Sequence, residues 1–100
     1  MGWVKTALQE LKENGTSQIR PHGGSMRGRI ESGQLVTIEK IEGHQVNLDD
    51  VILVKWKGNY LLHIAKEINE EEVLIGNNLG KINGWVSKNN IIGKVVKIQD

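Results

Sequence analysis

The sequence predicts a mainly β fold, a small coiled antiparallel sheet or partial barrel with one N-terminal α-helix. Three observations carry this reading. Apolar residues in the first 15 positions recur at helical spacing. From Ser17 onward the period changes to two. The apolar runs there are short and are parted by Gly, Asn and Asp, as in successive hairpins. A chain of 100 residues, 38% hydrophobic and 25% charged, suits one folded domain. Within it, residues 1–16 form an amphipathic helical segment and residues 17–100 the β domain.

The helix comes from "GWVKTALQELKENG". Trp3, Ala7 and Leu11 recur every four residues, and Val4 and Leu8 lie beside them, so all five gather in one stripe. Gly15 supplies the stop. "SQIR" is a short strand ended by Pro21, which cannot donate to a ladder. "QLVTIEKI" alternates Leu35, Thr37 and Glu39 against Val36, Ile38 and Lys40 and opens after the Ser32-Gly33 turn. "DDVILVKWKGNYLLHIAKEI" reads as a hairpin, two β-rich runs about a Gly58-Asn59 turn. "EEVLIG" is a further strand and "NNLGKING" a loop. "NIIGKVVKI" is a last strand interrupted by Gly93. The total is six or so strands.

Composition removes several function classes. The net charge is +1 and no block of five lysines or arginines occurs, so a nucleic-acid partner is not expected. Zero cysteines exclude disulfides, a thiolate nucleophile and cysteine-ligated zinc. No apolar run reaches the ~18 residues of a membrane span, and the N-terminus lacks a signal-peptide pattern. No membrane anchor and a cytoplasmic location are therefore expected. His22, His44 and His63 share no metal-ligand spacing, so neither a metal site nor any other cofactor is expected.

Chemistry concentrates at "RPHGGSM". Gly23 and Gly24 can take φ values closed to other residues, turning the chain sharply and leaving N–H groups pointing outward before Ser25. Such donors are what acyl transfer needs to hold a developing oxyanion. A serine hydroxyl needs a neighbouring base to become a nucleophile. Ordinary turn punctuation explains the same glycines equally well.

"GGSM", "RGRIESGQLVTI", "LDDVILVKWKGNYLLHIAKEI", "LIGNNLGKINGWV" and "IIGKVVKI", in this order, resemble the superfamily of LexA-type repressors and signal peptidases. Arg20 to Ile98 are covered. The resemblance implies that family's β fold and a serine peptidase acting through a Ser-His dyad. It carries the nucleophile to Ser25, the general base to His63 and the oxyanion turn to Gly23, Gly24 and Met26. A peptide or protein substrate would bind as an added strand. A histidine base is already largely neutral at pH 7, whereas a lysine base must have its pKa lowered by ~3 units. Lys66 lies on the other strand face from His63, and Lys55 and Lys57 are the remaining substitutes. Three positions depart from the family pattern. Gly28 stands where relatives carry proline, Ile64 where an arginine follows the base, and Asn83 where the asparagine loop carries an acid. A catalytically silent peptide- or protein-binding module on the same fold is the alternative.

Overall fold

A computed structural model describes residues 2–24 and 26–100. Helix α1 runs Gly2–Asn14. It ends where Gly15, at φ +78°, donates its N–H to the Leu11 carbonyl at 3.0 Å, a left-handed exit that glycine makes without strain. Ala7 and Leu11 are buried, with Trp3 and Leu8 packed beside them, so the predicted stripe is the face that docks. The Ser17 hydroxyl, buried at the start of the sheet, donates to the Glu10 carboxylate and fastens helix to strand.

Seven strands follow: β1 Thr16–Ile19, β2 Leu35–Lys40, β3 Val51–Trp56, β4 Asn59–Ile68, β5 Glu72–Gly76, β6 Ile82–Ser87 and β7 Ile91–Gln99. They make one open sheet in the order β1-β2-β7-β3-β4-β5-β6, and every neighbouring pair is antiparallel. The chain's last strand thus lies in the middle, between β2 and β3.

Apolar residues fill both faces. Val51 and Leu53 point into one cluster with α1, β1 and β2, while Ile52 and Val54 point into a second cluster with β5, β6 and the start of β7. A strand enclosed on both sides needs no polar face, which is why "VILV" is a continuous apolar run. β4 divides likewise, with Leu62 and Ile64 on the first side and Ala65 on the second.

Register shifts fall at Val96 on the β2 side of β7 and at Ile92 on its β3 side. Gly93 lies next to the second. A Cβ there would lie 2.8 Å from both the Glu39 carbonyl oxygen and Ile38 Cγ2. The glycine therefore permits close approach rather than interrupting the strand.

Two readings need correction. The hairpin turn is Lys57-Gly58, with φ +47° and +81°, and Asn59 pairs with Trp56 as the first residue of β4. Two successive left-handed residues match the twist of the flanking strands. Second, "NNLGKING" is not all loop, because residues from Ile82 belong to β6 and the loop shrinks to residues 77–81. Gly84 and Asn83 hid this strand, being poor strand formers. Gly84 takes φ +149°, and the Trp56 ring lies 2.9 Å from where its Cβ would be.

Candidate functional site

The segment after β1 is a closed loop. The Gly33 N–H donates to the Pro21 carbonyl at 3.0 Å, and Arg20 Nη1 donates to the Gly33 carbonyl at 2.8 Å. Within it Gly23 takes φ +115°, a left-handed conformation that rewards glycine. The Arg27 N–H donates to the Gly24 carbonyl at 3.1 Å, and Arg29 and Ile30 N–H groups donate to the Met26 carbonyl at 3.0 and 2.8 Å. Met26 and Ile30 anchor this turn by burying their side chains in the helix-side cluster. Ser25, the predicted nucleophile, lies outside the described residues.

The turn is tied to the loop after β5. Asn78 Nδ2 donates to the Arg27 carbonyl at 2.8 Å. Gly28, at φ +98°, makes room for it, since a Cβ there would lie 2.7 Å from Asn78 Nδ2. Proline, fixed near φ −65°, cannot occupy this position, and the Gly28 N–H is engaged by Glu31 Oε2 at 2.7 Å. Asn77 shapes the same loop, its Oδ1 accepting from the Leu79 and Lys81 N–H groups at 2.9 and 3.0 Å.

β4 supplies the third part. Among the described residues, β5 pairs with β4 only from Ile64 onward, while β3 pairs as far as Asn59. Residues 59–63 therefore have a strand on one side only. Ala65 exchanges backbone bonds with Asp49 and Asp50 at 2.8 and 2.9 Å on the β3 side. By strand alternation, the backbone N–H and C=O of Leu62 and Tyr60 point the other way, outward.

A cavity of about 620 Å³ follows this free edge. Its walls are Trp3, Val4 and Leu8 of α1, the turn residues Gly23, Met26 and Ile30, and β4 from its turn to His63. Residues from both faces of β4 line it because the cavity runs along an edge and meets both. His63 closes one end. Gly23 and Met26, which flank position 25, face the same space.

The His63 side chain is 7% exposed, and its Nδ1 is buried without a hydrogen-bond partner among the described residues. Burial pushes its pKa below the ordinary 6.5, and the positive charge of Lys81 pushes it the same way; the Leu62 backbone carbonyl partly offsets both. The imidazole is consequently neutral at pH 7, the state a general base requires.

The other candidates separate. His22 lines the cavity and pairs through Nδ1 with Ser32 Oγ at 3.3 Å, whereas His44 is exposed in a short 3-10 turn at Gly43–Gln45. Among the described residues, no three His, Asp or Glu side chains cluster as metal ligands do. Lys55, Lys57 and Lys66 do not line the cavity. Lys55 is exposed, Lys57 lies in the hairpin turn with its Nζ 5.2 Å from the Trp56 ring centroid, and Lys66 lies beside Gly76. Asn83 is in β6 rather than in the asparagine loop, and its Oδ1 is buried without a partner among the described residues. Extending the Ile64–Gly76 register by one step sets Asn77 opposite His63 instead. Sequence reading missed Asn78, Lys81 and the α1 wall. A visible signal for the first was "GNN" directly after an apolar strand.

No helix among the described residues is long and apolar enough to cross a membrane. A scan against protein-family models, a search of curated proteins and a search of solved structures each gave no match.

Proposed function

We propose that the cavity binds an extended peptide as an added strand along the free edge of β4, and that the protein is a serine peptidase of the LexA and signal-peptidase type. Ser25 attacks the peptide carbonyl carbon while His63 takes its proton. The C–N bond then breaks as the imidazolium returns that proton to the leaving amine, and water releases the acyl group by the same route. Turn N–H groups around Gly23, Gly24 and Met26 hold the oxyanion.

One observation carries this reading. A buried imidazole whose Nδ1 has no hydrogen-bond partner among the described residues lies in the space that Gly23 and Met26 also line. Leaving such a group unpaired costs about 1–3 kcal/mol, an expense that structure alone does not require and that a base in waiting explains. The outward backbone groups of Tyr60 and Leu62 are what an added strand needs.

A second reading, the catalytically silent module, draws on Asn77. The residue opposite His63 is an amide whose oxygen is already held by two loop N–H groups, so no acid orients the ring. The two readings separate on a mixture of unstructured synthetic peptides analysed by mass spectrometry. New termini that appear with wild type and vanish with Ser25→Ala and His63→Ala support the peptidase. Retention of peptides by all three proteins without cleavage supports the module.

A further inference from the structure

β6 is the outermost strand at one end of the sheet, and among the described residues it pairs with β5 alone. The Lys88 N–H donates to the Glu71 carbonyl at 3.0 Å. Alternation then turns the backbone groups of Val86 and Gly84 toward β5 and those of Trp85 and Ser87 outward. Such a row of free donors and acceptors is a template for another strand, which soluble proteins usually blunt with lysine, proline or an inward-pointing charge. "INGWVS", residues 82–87, contains no proline and no charged residue.

The one irregularity of β6 adds apolar surface to this edge. Trp85 pairs with Leu74 and Ile82 with Gly76, with a register shift between them at Asn83. Leu74 and Gly76 are two residues apart and share a face, so Ile82 and Trp85 share it too, although they are three apart. They are 50% and 41% exposed.

The two ends of the strand differ in charge. Glu72 pairs with Ser87, and Glu70 and Glu71 precede it in the turn. The one lysine at that end, Lys88, is packed against Gly43, where a Cβ would lie 2.6 Å from its own. At the other end Lys81 precedes Ile82, and Lys66 reaches over Gly76, its Cε 3.2 Å from where a Cβ would be. Glu67, paired with Leu74, is level with the strand's middle. Antiparallel pairing of two copies sets the acidic end of each beside the basic end of its partner.

We infer that β6 pairs antiparallel with β6 of a second copy about a two-fold axis, joining two seven-stranded sheets into one. Ile82 and Trp85 of both copies lie on one face of the joined sheet and cover each other. Glu72 of each copy comes within side-chain reach of Lys81 of the other. A contact that uses the same patch on both partners closes at two copies. An edge of six residues is a small contact, so the dimer is weak and forms with concentration.

Sedimentation velocity of the full chain from about 10 μM to about 1 mM should show a monomer–dimer equilibrium. Over the same range, hydrogen exchange at Trp85 and Ser87 should slow while exchange in β1 does not change. Trp85→Lys should raise the dimer Kd at least about ten-fold, the scale of a lost aromatic anchor. Glu72→Lys and Lys81→Glu should each weaken the dimer by about two- to five-fold, the worth of an exposed ion pair, and the double variant should restore it. A monomer at every concentration overturns the inference. So does a dimer that Trp85→Lys leaves intact and that protects no amide of β6, since another face then carries it. Growth beyond two copies overturns the two-fold pairing in favour of an open assembly of β6 on β1.

Discussion

Acidification should destabilise this protein through His63, and replacing that residue by phenylalanine should remove the effect. In the unfolded chain the imidazole takes a proton at its ordinary value of 6.5, whereas in the fold burial and Lys81 hold its pKa lower. Between those two values the unfolded state binds more protons than the native one, so stability falls as pH falls. The contribution is whole above 6.5, is lost progressively below it, and is exhausted below the folded value. One proton of difference gives a limiting slope of about 1.4 kcal/mol per pH unit. Urea unfolding followed by tryptophan fluorescence from pH 7.5 to 5.0 measures it. Effects of other titrating groups are common to both proteins and cancel in the difference. His63→Phe should therefore gain on wild type steadily as pH drops. At pH 7.5 it should already be equal or more stable, since a buried nitrogen without a partner among the described residues is gone. Parallel pH curves for the two proteins would refute the buried, neutral imidazole.

Three further outcomes follow from the geometry. Gly28→Pro should cost at least about 2 kcal/mol in urea unfolding, because φ +98° and the bond to Glu31 are both lost. Asn78→Ala should cost about 1 kcal/mol and should raise hydrogen exchange in residues 26–30, which the Asn78–Arg27 bond restrains. Leu53→Ala, at the fully buried centre of β3, should cost about 2–5 kcal/mol, read as a lowered denaturation midpoint.

Much of the architecture was legible because local chemistry and tertiary burial agree. The stripe of Trp3, Ala7, Leu8 and Leu11 is both a helical period and the docked face. Alternation in β2 places Val36 and Ile38 in the core and leaves Glu39 exposed. Where the two disagree, the reading failed. β6 was hidden because Gly84 serves the approach of the Trp56 ring, a contact from a strand far away in the chain. The hairpin turn slipped by one residue because Lys57 adopts φ +47°, which its side chain does not announce.

The site was legible in part for the same reason. His63 stood out as a polar residue inside an apolar strand, and the structure gives it burial, a lowered pKa and a cavity. Its surroundings were not legible. The end of β5 pairing at Ile64, which frees the β4 edge, is a property of the register and not of any single residue. The same register assigns the position opposite His63 to Asn77, not Asn83. That α1 walls the cavity depends on how a helix docks, which periodicity does not specify.

Labelling with a serine-directed acylating probe, mapped to the modified residue by mass spectrometry, addresses the proposed chemistry most directly. Ser25 of wild type should be acylated near pH 7.5, Ser25→Ala should not react, and His63→Ala should react at least about 100-fold more slowly, the scale of a lost general base. Equal labelling of wild type, Ser25→Ala and His63→Ala would contradict a Ser25 nucleophile activated by His63.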